Sequence, residues 1–121
     1  MPYIIHANQN AFVKGRSIFD ALRTTDDVVD YTKRNCLPGI LIAIDFEKAF
    51  DTLDLNFLIR TLHKFNFGSS FIHWIRTLYK DVSSAVMNNG FTTGHFPLER
   101  GIRQGDPLSP YLFIIAVEIL P

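Results

Sequence analysis

The sequence of 121 residues contains a single cysteine and no excess of charge of either sign. Because Cys36 stands alone, an internal disulfide and a cysteine-rich zinc site are both excluded. Twelve Lys and Arg residues balance twelve Asp and Glu residues, which argues against a protein that binds nucleic acid through overall positive charge. A few well-placed groups that contact phosphates remain compatible with this balance. The apolar run at residues 112–117 is too short to span a bilayer.

What the sequence does contain is enough apolar side chains for one globular domain. The apolar content is 47% and the aromatic content 13%, with eleven phenylalanines. No repeat or low-complexity tract divides the chain, which favours one structural unit. We expect residues 112–117 to form a buried helix that is covered in part by chain beyond Pro121, so that the sequence is a fragment of a larger protein.

The first half of the chain predicts a helix followed by a strand. Ser17 and Asp20 resemble a capping box, and the residues after them are amphipathic to about Lys33. Pro38-Gly39 ends this region, and Ile40–Ile44 is a β-branched apolar run of strand length. Because no polar residue interrupts this run, we expect a central strand that is buried on both faces.

The second half predicts three more helices and one β-hairpin. A helix capped by Asp54 ends near Gly68, and the next one begins at Ser69–Ser70. Asn89-Gly90 favours a type I′ turn between two short strands, and Asp106-Pro107 is typical of a helix start. The pattern predicts an α+β fold, in which a short antiparallel sheet packs against three to four helices.

Asp45 is the most informative single residue, because it directly follows the apolar run. A carboxylate at the end of a buried strand needs a cation, a hydrogen-bond donor or a metal ion to offset the cost of its burial. One interpretation is that Asp45 caps the short helix that follows it. The other is that Asp45 is a functional ligand, and the residues after it, Phe46–Asp51, bear on that choice.

Three segments of the chain resemble motifs of one enzyme family. Ile42–Asp51 (IAIDFEKAFD) is similar to motif A of reverse transcriptases, in the form found in LINE-type (non-LTR) retrotransposons. Gly101–Phe113 (GIRQGDPLSPYLF) resembles motif B of the same enzymes. Gln9–Ser17 (QNAFVKGRS) resembles a preceding fingers motif, whose usual form is Q-x-G-F-x-x-G-R-S. The three segments occur in the family's order and spacing, and the resemblance covers essentially the whole chain.

This resemblance implies a metal site at the end of the predicted strand. In the family, the aspartate that matches Asp45 binds two catalytic Mg²⁺ ions in the complete enzyme, and the backbone carbonyl that matches Phe46 assists; Mn²⁺ is an alternative ion. Two-metal phosphoryl transfer needs hard oxygen ligands that hold the ions against the attacking and leaving oxygens. The resemblance therefore makes Asp45 the predicted catalytic residue.

The resemblance also implies a nucleotide-binding cleft. The aromatic residue that matches Phe50 is the family's steric gate, which excludes the 2′-hydroxyl of ribonucleotides. A core phenylalanine is the alternative interpretation of Phe50. Gln104 and Gly105 match the segment beside the incoming nucleotide and the templating base, where glycine permits close approach of the backbone.

Three basic residues are weaker candidates for contacts with nucleic acid. Arg16 either contacts the template backbone, as phosphate-binding residues do, or lies on the surface in solvent. Lys48 either contacts phosphate or pairs with Asp51 or Asp45. Arg103 belongs to the motif B loop and is predicted, on the same grounds, to line the cleft.

The sequence departs from the family pattern in ways that limit the prediction. Ala11 replaces the usual glycine and could strain a turn that needs positive φ, and Lys14 replaces a common proline. Motif C, which supplies the other metal-binding carboxylates, is absent, as are the thumb and the earlier fingers motifs. We therefore interpret the chain as a partial domain, with a fingers-side segment at about residues 1–36 and an incomplete palm segment at about residues 37–121.

The expected function is that of a part of an RNA-directed DNA polymerase with two-metal nucleotidyl transfer. We expect the fragment to be inactive alone, since one carboxylate cannot hold two Mg²⁺ ions. The implied partners are an RNA template, a DNA primer, deoxynucleoside triphosphates and the remaining palm and thumb, with no membrane. The implied location is intracellular, in cytoplasm and nucleus. Two alternatives remain: a degenerate or co-opted palm remnant that binds without chemistry, and a reverse transcriptase of the group II intron or related bacterial type.

Overall fold

The computed structural model describes residues 3–119, which belong to two compact units, residues 1–46 and 47–121. Within residues 3–119, five helices and four short strands give the α+β class that the sequence predicts. No helix within this described range is long and apolar enough to cross a membrane. In chain order the elements are α1 (Ile18–Arg34), α2 (Ala49–Thr52), α3 (Leu55–Lys64), α4 (Ser69–Tyr79), β1 (Ser83–Ser84), β2 (Met87–Asn88), β3 (Phe91–Thr92), β4 (Phe96–Pro97) and α5 (Ser109–Val117).

Helix α1 of the first unit confirms the predicted amphipathic helix. It begins where the hydroxyl of Ser17 accepts a hydrogen bond from the backbone N–H of Phe19, at 3.2 Å. Its apolar face is exposed, since Ile18 and Leu22 each keep more than half of their accessible surface and none of its residues is buried. The helix is therefore defined by its cap and its local sequence rather than by packing within this unit.

The segment Ile40–Ile44 does not form the predicted buried strand. None of its residues is assigned to a strand in the described chain, and Ile40 and Ile44 are 90% and 87% exposed. A strand requires a neighbour that accepts and donates the ladder hydrogen bonds, and the described residues provide no such neighbour here. The β-branched composition gives the segment its strand propensity, but propensity alone does not create a sheet.

Helix α3 forms the centre of the second unit, because it packs against both α4 and α5. Leu58 and Leu62 on α3 and Leu112 on α5 have no exposed surface. Tyr79 at the end of α4 lies close to Ser109 at the start of α5, with 3.5 Å between their hydroxyl oxygens. The prediction that residues 112–117 form a buried helix is confirmed.

Two predicted helix boundaries are wrong by a few residues. Helix α3 ends before Gly68, because Asn66 adopts the left-handed conformation (φ 58°) and Gly68 instead precedes α4 as its N-cap. The carboxylate of Asp106 accepts a hydrogen bond from the backbone N–H of Leu108 at 2.9 Å, which closes a turn. Helix α5 therefore begins at Ser109 instead of at Pro107. An aspartate that caps a turn and one that caps a helix occur in similar sequences, so the sequence alone does not distinguish the two roles of Asp106.

The β-hairpin has the predicted turn. Strands β2 and β3 pair antiparallel around Asn89 and Gly90, whose φ values are 50° and 82°. Positive φ at both central residues is the requirement of a type I′ turn. Strands β1 and β4 pair antiparallel farther from the turn, so the hairpin continues down to the loop that leads to Gly101.

The cap of α3 provides a direct test of this local structure. The carboxylate of Asp54 accepts the backbone N–H of Phe57 at 2.8 Å. We expect Asp54→Ala to lower the free energy of unfolding by about 1 kcal/mol, because the N–H loses its acceptor. Asp54→Ser retains an acceptor and is expected to lose much less. Urea denaturation of the two variants measures the difference, and equal destabilisation by Ala and Ser would contradict the capping role.

Candidate functional site

In the second unit, helix α2 is joined directly to the loop that precedes α5. The backbone N–H of Gly101 donates to the carbonyl of Leu53 at 2.9 Å, and that of Ile102 donates to the carbonyl of Phe50 at 2.7 Å. Ile102 is also buried, with 3% of its surface exposed. The two segments that carry the motif A and motif B resemblances are therefore held side by side by main-chain hydrogen bonds.

Gly101 packs closely against the backbone of the other segment. It has a φ of +96°, and a Cβ placed on it would lie 3.0 Å from the carbonyl oxygen of Asp51 and 3.1 Å from its Cα. Both the conformation and the space select glycine. The sequence did not single out Gly101, because close approach to a distant segment leaves no local signal.

Phe50 lies between the core and an open cleft. It is half-buried, and its ring centroid lies 5.5 Å from that of Phe113 on α5, with an interplanar angle of 38°. Ring pairs at this distance contribute to packing. Phe50 therefore packs against α5, as the core interpretation predicts, and it also lines the cleft. The gate interpretation stays a prediction.

This cleft, which we call the motif cleft, brings together four of the residues predicted from the sequence. They are Lys48, Phe50, Gln104 and Gly105. The turn before α5 closes one side of the cleft. The rest of its lining is formed by Ala49, Asp106, Pro107, Ser109 and Pro110.

The side chain of Gln104 pairs with Asp51, which the sequence predicts as a possible partner of Lys48. Its side-chain Nε2 donates to Oδ1 of Asp51 at 2.9 Å. Both residues are exposed, so the pair is accessible to a ligand. Within residues 3–119, Lys48 makes no ion pair with Asp51, and it adopts a left-handed conformation (φ 49°) at the start of α2.

Gly105 and Arg103 flank Gln104 in the loop. Gly105 has a φ of +83°, and no atom of the chain lies within 4 Å of a Cβ placed on it. Its backbone conformation, rather than crowding by the chain, therefore accounts for glycine at this position. Arg103 is exposed and lines the neighbouring cleft together with Asp51 and Gln104.

Asp45 and Phe46 lie at the end of the first unit. Asp45 is exposed rather than placed at the mouth of a core, because the segment before it is itself exposed. A carboxylate and a backbone carbonyl are hard oxygen donors of the kind that Mg²⁺ accepts. Within the described residues, no group of three or more His, Cys, Asp or Glu side chains could hold a metal ion. Asp45 and Phe46 therefore carry oxygen donors of the right kind for a divalent cation, and the described residues do not complete a ligand set around them.

Within the first unit, Arg16 is half-buried and bonded to the backbone instead of lying free in solvent, and its contact with the template backbone stays a prediction. Its guanidinium donates to the carbonyl oxygens of Gln9 at 2.7 Å and Ile5 at 3.2 Å, and also to that of His6. These hydrogen bonds hold the backbone of residues 5–9 against Arg16. In this segment positive φ occurs at Phe12 (57°) and Gly15 (82°) and not at Ala11, so the predicted strain at Ala11 is wrong.

The chain as a whole matches a known family. The match to reverse transcriptase (RNA-dependent DNA polymerase) covers residues 2–121. The chain therefore belongs to the reverse transcriptase family, and the motif cleft is formed by the two segments that resemble motifs A and B.

Two relatives of the chain are proteins of transposable elements in animals. The chain is 36% identical over 115 residues to the transposon TX1 uncharacterized 149 kDa protein of Xenopus laevis, covering 95% of this chain and 9% of the relative. It is 26% identical over 112 residues to the Pol polyprotein of the type-2 retrotransposable element R2DM of Drosophila melanogaster, covering 93% and 11%. These relatives confirm the predicted resemblance to reverse transcriptases of LINE-type retrotransposons, and the chain spans about a tenth of their length.

Proposed function

We propose that this chain is the part of an RNA-directed DNA polymerase that holds the incoming deoxynucleotide. In the complete enzyme, the 3′-hydroxyl of a DNA primer attacks the α-phosphate of the nucleotide on an RNA template, and pyrophosphate leaves. The observation that carries this proposal is the motif cleft, which Phe50 and Gln104 both line although more than fifty residues separate them in sequence. The aromatic ring supplies a wall against a 2′-hydroxyl, and the amide supplies a polar contact.

The proposed metal chemistry depends on Asp45. Its carboxylate and the carbonyl of Phe46 would hold Mg²⁺ or Mn²⁺, which in a two-metal site stabilises charge on the attacking and leaving oxygens. Because the described residues provide only part of such a ligand set, we propose that the remaining palm supplies the other carboxylates. The same palm would provide the strand that pairs with Ile40–Ile44 and covers its apolar side chains.

The proposed partners are an RNA template, a DNA primer, deoxynucleoside triphosphates and the remaining palm and thumb. Lys48 lines the motif cleft and Arg103 lines the neighbouring cleft, and we propose that both cationic side chains contact phosphates. Arg16 donates to backbone carbonyls of the fingers-side segment, and we propose that it also contacts the template backbone. We propose that the protein is located inside the cell, in the cytoplasm and nucleus.

Primer extension tests this function. The full-length protein that carries the chain is expected to extend a DNA primer on an RNA template in a Mg²⁺-dependent reaction, and the 121-residue chain alone is expected to give no product. Extension by the chain alone would contradict the requirement for further metal ligands. No extension by the full-length protein, with primer–template binding retained, would instead favour a remnant that binds without chemistry.

A further inference from the structure

We infer that a groove between helices α3 and α4 is a docking site for an acidic amphipathic helix of a second protein. Its lining residues lie within 55–59 on α3 and within 73–80 on α4 and its C-cap, and we call it the α3–α4 groove. It shares no lining residue with the motif cleft. The inference therefore goes beyond the proposed polymerase function and does not depend on it.

The floor of the α3–α4 groove is apolar. Leu58 and Ile75 form its buried base, with 0% and 2% of their surface exposed. Leu55 and Ile59 are half-buried beside them and remain accessible to a ligand. Covering such surface with apolar side chains removes it from water and is favourable. The floor therefore suits a ligand with an apolar face.

The rim of the groove is positively charged. His73, Arg76 and Lys80 follow one another at a spacing of three and four residues, so they share one side of α4, and all three are exposed. No Asp or Glu is among the described lining residues. Within residues 3–119, Arg76 has no ion pair, and Lys80 has only an exposed contact of 4.0 Å with Asp81. Because exposed ion pairs of this kind contribute little, the rim retains its charge for an acidic ligand.

The position of the groove between two helices favours a helix as its ligand. Helices α3 and α4 pack against each other, and a third helix can place side chains at every third or fourth position into the depression between them. The described lining contains no strand to which an extended peptide could add. The phosphates of a nucleic acid could meet the rim, but they would leave the apolar floor uncovered. A helix with acidic residues beside an apolar stripe matches both the floor and the rim.

The groove is complete without any further segment of the polypeptide. Both of its helices belong to the second unit and follow each other directly in the sequence. A site that is formed before binding loses little conformational freedom when a ligand arrives. This preformed and open state is the reason for assigning the groove to a second protein rather than to another part of the same polypeptide.

The test uses a synthetic amphipathic peptide and the full-length protein that carries the chain. The peptide is about 18 residues long so that it forms a helix in water, with leucine at every third or fourth position and glutamate on both sides of this stripe. A control peptide has lysine in place of every glutamate. Fluorescence anisotropy gives the two dissociation constants. We expect the glutamate peptide to bind about tenfold more tightly than the lysine peptide, and this difference to shrink as salt is added.

Reversal of the rim charge assigns this binding to the groove. In the double variant Arg76→Glu/Lys80→Glu, we expect the glutamate peptide to bind about tenfold more weakly and the lysine peptide to become the tighter ligand. Both side chains are exposed, so the variant should stay folded, and thermal unfolding checks this. Lys64→Glu is the matched control, because Lys64 is exposed in the last turn of α3 and does not line the groove. This control is expected to retain the original preference.

The outcomes separate the possible occupants of the groove. A peptide preference that is exchanged in the double variant and retained in Lys64→Glu supports the inference. It is overturned if the full-length protein does not bind the glutamate peptide, as expected when its own polypeptide fills the groove, or if the double variant keeps the original preference. It is also overturned if the double variant loses self-association in sedimentation, or weakens binding of an RNA duplex while peptide binding is unchanged. None of these measurements uses primer extension, so a failure of the proposed function leaves the inference standing.

Discussion

Asp45→Ala is expected to lower the rate of primer extension by the complete enzyme about a thousandfold or more. The substitution removes an oxygen ligand that, in the proposed site, holds the ions against the reacting phosphate, and this loss corresponds to about 4 kcal/mol or more of transition-state stabilisation. Single-turnover incorporation at saturating nucleotide measures the effect. Because Asp45 is exposed and lies outside the packed core, we expect the fold to tolerate the change.

Two controls make this prediction specific to chemistry. Binding of the primer–template should change little in Asp45→Ala, and its thermal unfolding should match that of the unaltered protein. Asp81→Asn, which alters an exposed aspartate outside the site, should retain normal extension. Near-normal extension by Asp45→Ala would remove Asp45 from the catalytic role.

Gly101→Ala is expected to destabilise the protein by about 2–4 kcal/mol. Its φ of +96° is a strained conformation for alanine, and the new Cβ would lie 3.0 Å from the carbonyl oxygen of Asp51. Backbone atoms cannot move aside as the end of a flexible side chain can. Relief of the clash would break the hydrogen bonds that join α2 to the loop, so nucleotide binding is expected to weaken as well. Chemical denaturation and the KM for nucleotide measure the two effects.

Gly94→Ala provides the matched comparison for this substitution. Gly94 lies between β3 and β4, does not have a strained positive φ, and has no atom within 4 Å of an added Cβ. Alanine there is expected to change stability by less than about 1 kcal/mol, with a stabilising sign because the unfolded chain loses freedom. Equal destabilisation by the two substitutions would show that the contact with Asp51 has no energetic importance.

The elements that the sequence predicted well are those with local signals. The cap at Ser17 and the cap at Asp54 each act on an N–H two or three residues away, and the turn at Asn89-Gly90 joins adjacent strands. Helices α3 and α5 also carry apolar residues that become buried. In each case the residues that determine the structure are neighbours in the sequence, so a short window contains the necessary information.

The features that the sequence could not predict depend on partners far away along the chain. The apolar run Ile40–Ile44 was expected to be a buried strand, but a strand depends on a second strand that the run itself cannot specify. The pair of Asp51 and Gln104 joins residues 53 positions apart. Arg16 binds backbone carbonyls, which every residue possesses, and so its partners have no signature in the side chains.

The exposed segment Ile40–Ile44 also has a consequence for how the protein is made and handled. Five consecutive residues without charge or proline, four of them large and apolar, form a sequence that readily joins the same segment of another molecule edge to edge. Until another strand covers it, this segment favours aggregation over solubility. If the remaining palm supplies a covering strand as proposed, we expect the time before that strand is synthesised to affect the yield of native protein.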